Sequence, residues 1–220
     1  MISKTKLNMT KKRIIAIAGN IGVGKTSLVE FLTSTYNITP FYEPNDENPY
    51  LEDFYKDMKL WSFHSQLYFL SNKFRIHQQV DLSEGVVVQD RTIFEDVEIF
   101  ATALHQMKKI SDRDWQTYHQ FYKNIIASIS PPDLMIYLKC SIPTIRKRIK
   151  IRGRKMEQDI PISYLKRLDK LYENWIENYS LSKVMVIETD KLDYVCDLID
   201  RLDVMTKIES LLPKSLIRID

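Results

Sequence analysis

Residues 13–28, RIIAIAGNIGVGKTSL, form an apolar run that passes without a linker into a glycine-dense loop. The chain has only five glycines, yet Gly19, Gly22 and Gly24 fall within six consecutive positions. Gly19, Asn20, Ile21, Gly22, Val23, Gly24, Lys25 and Thr26 fit G-x-x-x-x-G-K-[ST], with Ser27 next. A buried strand before the motif and a helical pattern after it give the context it requires. In such a loop several backbone N–H groups converge on one phosphate. That curvature needs positive φ or close approach of the backbone, which glycine permits. The helix N-terminus adds its dipole. The loop is therefore expected to hold a nucleoside triphosphate, ATP or another, with Lys25 on its β- and γ-phosphates and the Thr26 hydroxyl on Mg²⁺.

The rest of the chain alternates in the same way. Residues 13–19, 38–43, 85–90, 134–139 and 183–189 read as short strands, several as continuous apolar runs suited to burial on both faces. Helical patterns cover 25–35, 50–80 with a break near 59, 92–107, 111–129, 142–151, 161–178 and 191–211. Ser111 is placed as an N-cap, and Pro161 at a helix start, where its missing N–H costs nothing. Strands joined through helices imply crossovers and a parallel sheet. The expected fold is a doubly wound α/β domain: a five-stranded parallel sheet with helices on both faces, one domain over 1–220, with residues 1–12 as a loose leader.

Composition excludes other classes. No apolar run reaches the ~18 residues a membrane helix needs, so no membrane partner is expected. Cys140 and Cys196 lack metal-ligand spacing, and two cysteines make no disulfide framework; a reducing cytoplasm follows. A net charge of +3 is too small to imply nucleic acid. The four histidines, His64, His77, His105 and His119, form no ligand pattern.

A phosphate loop alone does not say what receives the phosphate. The guanine-reading N-K-x-D element is absent, since residues 72–75 read NKFR. In open parallel sheets ligands bind beyond the carboxyl ends of the strands. The second strand ends in FYEP with Glu43 and the third in VVVQDRT with Asp90 and Arg91. Two carboxylates and an arginine beside a phosphate loop supply a base, a metal anchor and a positive group, the parts phosphoryl transfer uses.

Five segments in this order, GNIGVGKTSL, YEP, WSFHSQLYFLSNKF, QDRTIFEDVEIFA and IRGRKMEQDIPISYLKRL, resemble the deoxynucleoside kinases, in particular the bacterial deoxyadenosine and deoxyguanosine kinase branch. The resemblance spans about residues 13–178 and implies a P-loop kinase-type fold that phosphorylates a deoxynucleoside, as a homodimer. By position it implies Glu43 as general base on the 5′-hydroxyl, with Asp90 and Arg91 serving Mg²⁺ and the 5′-oxygen. Tyr55 and Glu157 match positions that bind the 3′-hydroxyl. Gln66 matches the amide reading the base edge, Asp96 the carboxylate facing an exocyclic amine, and Phe100 a ring against the base. Arg148, Arg152 and Arg154 match lid arginines over the donor phosphates, which makes about 150–160 a lid. Position 73 is Lys where relatives often carry Arg near the base, which bears on base discrimination.

The residue types suit these roles independently. An amide pairs a donor with an acceptor, as in Gln on adenine, and an aromatic face stacks on any base. Plain readings stay open for some positions. Apolar residues at 60, 63, 67, 70 and 74 make a core stripe at helical spacing; Gln66 beside it also suits a cap, and Phe100 suits the core. The basic segment TIRKRIKIRGRK, Thr144 to Lys155, fits a nucleic-acid helix less well than a lid, since no wider basic surface or binding module accompanies it. Deoxyadenosine leads the expected substrates. A thymidylate-kinase-like nucleotide kinase and a non-catalytic nucleotide switch are the alternatives.

Overall fold

The computed structural model of the chain describes residues 12–43, 45–192 and 198–211. The expected leader, Pro44 of the FYEP segment, Cys196 and the first part of the last expected helix lie almost wholly outside these residues. Strands β1 (Arg13–Gly19), β2 (Ile38–Phe41), β3 (Val86–Asp90), β4 (Leu134–Lys139) and β5 (Lys183–Glu188) form one sheet in the order β2-β3-β1-β4-β5, with every pair parallel. Six of the seven β1 residues and all of β3 are buried, as sequences without polar alternation require.

Helix α1 (Lys25–Thr35) packs against the sheet through Leu28, Val29, Phe31 and Leu32. After α2 (Leu51–Lys56), α3 (Met58–Leu82) begins at Asp57, whose side chain accepts from the backbone N–H of Lys59 and Leu60. That cap is the break expected near 59. The buried face of α3 only partly follows the apolar stripe: Leu70 is buried with Phe63 and Phe74 packed beside it, but Leu60 is 59% exposed. The face runs through Ser62, Ser65, Gln66, Phe69, Leu70, Lys73, Ile76, His77 and Val80. Polar residues were thus placed inward along half of a core-facing row.

The helix expected at 92–107 is three pieces: α4 (Ile93–Glu95), a π-helical segment over Asp96–Ala101, and α5 (Thr102–Gln106). A capping box between Thr92 and Glu95 starts it. The wide turn re-aims the side chains from Asp96 to Phe100, as π segments at ligand sites commonly do. Helices α6 (Asp112–Ile126), α7 (Ile142–Arg152), α8 (Ile162–Glu177) and α9 (Leu198–Glu209) complete the fold. Ser111 caps α6, accepting from the N–H of Asp114. Pro161 is the N-cap of α8, one position earlier than a first helical residue. Gly153, left-handed at φ 74°, ends α7. Among the described residues no helix is long and apolar enough to cross a membrane.

Candidate active site

The phosphate loop leaves the sheet at the carboxyl end of β1. Gly19 sits at φ 147°, and a Cβ there would lie 2.7 Å from the Leu138 carbonyl oxygen and 2.9 Å from Val23. Gly22, at φ 77°, packs so closely on α7 that a Cβ would lie 2.7 Å from Ile149. Gly19→Ala is expected to destabilise the fold by about 1–3 kcal/mol, the range for a residue forced into a sparsely populated backbone region. A lowered urea midpoint at unchanged slope checks it; an unchanged midpoint contradicts it.

Lys25 folds across the loop, its Nζ donating to the Gly19 carbonyl at 2.9 Å and the Asn20 carbonyl at 3.1 Å. Burial, with Arg91 nearby, pulls its pKa down to about 8. Thr26 Oγ1 donates to Asp90 Oδ2 at 2.7 Å, and Asp90 Oδ1 is buried without a hydrogen-bond partner. A hydroxyl and a carboxylate with an uncommitted oxygen, at the mouth of a phosphate loop, are the all-oxygen donor set that suits Mg²⁺ held jointly with phosphates. Among the described residues no cluster of three or more His, Cys, Asp or Glu forms a cage of its own.

Arg91 follows β3 in a left-handed conformation, φ 62°, which a non-glycine residue adopts only where its surroundings enforce it. Its Nη1 donates to both Glu43 oxygens, at 3.0 and 2.8 Å, and its Nη2 to the Gly19 carbonyl at 3.3 Å. The guanidinium carbon lies 4.3 Å from the centre of the Phe100 ring, a cation–π contact. Because β2 ends at Phe41, Glu43 sits just past the sheet edge, and its side chain is only 5% exposed. Burial alone would push that carboxyl up. Arg91, Lys73 and Lys25 instead hold it well below the usual carboxylate range.

Glu43, Arg91, Tyr55, Gln66, Asp96, Phe100 and Glu157 all line one cavity. Gln66 Oε1 and Asp96 Oδ2 are buried there without a partner. Burial pushes the Asp96 carboxyl up to about 7, and burial beside Glu157 raises the Tyr55 hydroxyl. Arg152 is ion-paired with Glu157, and Arg154 Nη1 lies 3.5 Å from the same carboxylate. A second cavity opens on the other side of the loop, among Gly24, Ser27, Arg148 and Lys191. Gly22, Lys25, Thr26, Arg152 and Arg154 border both cavities, so the phosphate loop is the wall where they meet. Arg148 stands apart from the other two arginines. It donates to the carbonyls of Val23 and Thr189 and to Thr189 Oγ1, tying the loop to the end of β5.

Two participants were not legible as site residues, and a third was expected in another place. Lys73, expected near the base, lies behind the cavity wall on the backbone of Asp90 and Arg91. Glu95, fully buried, accepts from the N–H of Gly19 and Thr92 and from the Tyr172 hydroxyl, joining the phosphate loop to the turn after β3. Its place three residues after Thr92 carries the capping-box signal, which marks a helix start but not a link to the loop. Tyr172 carried no signal: it reads as part of a helix core.

Comparison with known proteins agrees with this geometry. The family model described as "Deoxynucleoside kinase" matches residues 15–213. A deoxyadenosine/deoxycytidine kinase of Bacillus subtilis (strain 168) is 35% identical over 192 residues, 86% of this chain and 88% of that protein. A deoxyadenosine kinase of Dictyostelium discoideum is 38% identical over 177 residues, 79% of this chain and 72% of that one. The structure of deoxyadenosine kinase from M. mycoides with bound dATP superposes with a TM-score of 0.77 at 30% identity, covering 90% of this chain and 99% of the other. With the glycine loop at the end of β1, the five-stranded parallel sheet and these matches over most of its length, the chain belongs to the deoxynucleoside kinase family.

Proposed function

We propose that the chain transfers the γ-phosphoryl group of ATP, or of another nucleoside triphosphate, to the 5′-hydroxyl of a purine deoxynucleoside, deoxyadenosine first. The observation that carries this is the junction of the two cavities. Glu43 and Arg91 face the phosphate loop from the acceptor side, where a primary alcohol would meet a γ-phosphate. Glu43 takes the 5′-hydroxyl proton as the oxygen bonds to the γ-phosphorus. The bond from phosphorus to the β–γ bridging oxygen breaks, and ADP leaves. Lys25 and Arg91 hold the charge spread over the transferring group, and Arg152 and Arg154 add to it from a lid over about 150–160. Thr26 and Asp90 would hold Mg²⁺, which when bound neutralises phosphate charge. Nothing in the family match favours a thymidylate-kinase-like acceptor or a non-catalytic switch.

On the acceptor side Tyr55 and Glu157 would grip the 3′-hydroxyl. Phe100 would lie against the base, and Gln66 and Asp96 would read its edge, their unpartnered oxygens waiting for donors. An ionised Asp96 accepts from an exocyclic amine and repels the carbonyl of thymine. A panel of the four deoxynucleosides with ATP and Mg²⁺ tests the assignment: deoxyadenosine is expected to show the highest kcat/KM, and thymidine in first place would contradict it. Because the free Asp96 carboxyl titrates near 7, lowering the pH protonates the acceptor that the amine needs. Deoxyadenosine affinity is therefore expected to fall from about pH 8 to about pH 6, up to tenfold per unit once the group is protonated. Calorimetric titration checks it, and affinity constant over that range would remove Asp96 from the amine. The remaining parts of the proposal are one catalytic domain over the chain, action in the cytoplasm, and a homodimer formed by helix packing, for which α3, with Leu60 exposed, and α6, with Phe121 exposed, are the two candidate faces.

A further inference from the structure

Lys73 lies on the inward row of α3 with no exposed surface. A lysine is almost never fully buried unless it is paired. Its Nζ donates to the Arg91 carbonyl at 2.7 Å and to the Asp90 carbonyl at 3.1 Å, and lies 3.3 Å from Glu43 Oε1. Two of the three donors of the ammonium go to the carbonyls, and Glu43 is its ion-pair partner. The wall of the acceptor cavity passes in front of it, through Gln66, Phe69, Asp90, Arg91 and Asp96.

The two carbonyls are those of the peptide planes on either side of the Arg91 Cα. Arg91 is one of two non-glycine residues with positive φ among those described. Such a conformation persists only where the surroundings over-determine it, and Lys73 fixes both flanking planes. The same ammonium holds the carboxylate to which the Arg91 side chain is paired. One buried charge therefore sets the backbone that aims the guanidinium and the carboxylate that receives it.

We propose that Lys73 is a positioning residue for phosphoryl transfer: it acts through Glu43 and the backbone of Asp90 and Arg91, and touches neither the nucleoside nor the triphosphate. This rests on the assignment of Glu43 and Arg91 to the 5′-hydroxyl made above. It replaces the base-reading role that the sequence suggested for position 73. A residue reading the base sets which nucleoside is accepted. A residue holding the Glu43–Arg91 pair sets the rate for every nucleoside alike.

The test uses the full chain and the four deoxynucleosides with ATP. Lys73→Met removes every donor. Lys73→Gln keeps an NH₂ for the two carbonyls, removes the charge, and decides the matter if the Met variant does not fold. With rates normalised to folded protein by circular dichroism, Lys73→Gln is expected to lower kcat about 10²-fold, the scale of a misplaced reacting group. Deoxyadenosine affinity and the ranking of the four nucleosides should be unchanged. In a Glu43→Gln background the same substitution should add almost nothing, since groups acting as a unit are non-additive. Three results overturn the inference: kcat at the wild-type level in Lys73→Gln, an altered nucleoside ranking at unchanged kcat, or full additivity with Glu43→Gln. If Glu43→Gln is slow and Lys73→Gln is not, only this inference falls. If Glu43→Gln turns over at the wild-type rate, the assignment of Glu43 falls and takes the inference with it.

Discussion

Arg91→Met is expected to lower kcat by about 10³–10⁵-fold, the range found for arginines that stabilise charge on a transferring phosphoryl group. Arg91 carries this much because no neighbour duplicates its position. Its backbone N–H is tied to the Ile17 carbonyl of β1, so the residue is anchored in the central strand pair. Its guanidinium is held by Glu43, Gly19 and the Phe100 ring together. Of the other cations at the junction, Lys25 is committed to the Gly19 and Asn20 carbonyls, and Arg152 and Arg154 lie against Glu157. Arg91→Lys should rescue little, since a single ammonium cannot span Glu43 and the Gly19 carbonyl with two nitrogens of one plane or lie flat on a ring. Single-turnover phosphorylation at saturating ATP and deoxynucleoside measures the chemical step. A loss under about tenfold in Arg91→Met would place the charge stabilisation elsewhere, since one factor of ten is only ~1.4 kcal/mol of barrier.

The frame of this site was readable because its signals are local. A phosphate loop needs glycines at fixed offsets, and a strand buried on both faces needs an unbroken apolar run. Both leave marks within a dozen residues, so β1, the loop, α1 and the sheet order's parallel character followed from the chain alone. Glu43 and Asp90 followed from one further rule, that ligands sit beyond the carboxyl ends of parallel strands. The interior of α3 did not follow. Periodicity searches for apolar residues on the core face, but this helix turns Ser62, Ser65, Gln66, Lys73 and His77 inward; Gln66 lines the cavity and Lys73 holds the turn after β3, while Ser62 bonds its own helix and Ser65 accepts from Asn48. The stripe at 60, 63, 67, 70 and 74 therefore overlapped the buried face only in part: Leu70 is buried with Phe63 and Phe74 packed beside it, while Leu60 is exposed. Glu95 and Tyr172 escaped for a related reason: their hydrogen bond joins residues 77 positions apart, and no sequence window spans that distance. The π segment was also hidden, since its sequence, DVEIFA, reads equally as ordinary helix.

Glu43→Gln is expected to lower kcat by about 10²–10⁴-fold, the usual contribution of a general base, while deoxynucleoside binding persists. The carboxylate is held well below the usual range by Arg91 and Lys73, which makes it a weak base in the ground state. This is compatible with the role because the transition state of phosphoryl transfer is loose. The 5′-hydroxyl becomes strongly acidic only as its bond to phosphorus forms, so a weak, well-placed acceptor suffices. Glutamine keeps the shape and one acceptor oxygen for Arg91 and Lys73 but cannot take the proton. It also leaves two buried cations without their anion, and breaking a buried pair this way costs about 3–5 kcal/mol. The depressed carboxylate contributes stability above the unfolded value near 4.5 and loses it as pH falls below that point. The variant should therefore be less stable than the wild type at neutral pH and converge on it in acid. Calorimetric titration with deoxyadenosine beside a coupled kinase assay separates binding from chemistry, with thermal melts at several pH values fixing the folded fraction. Wild-type turnover in a folded, nucleoside-binding variant would leave Glu43 as a clamp for Arg91, with the 5′-hydroxyl losing its proton to the phosphate itself.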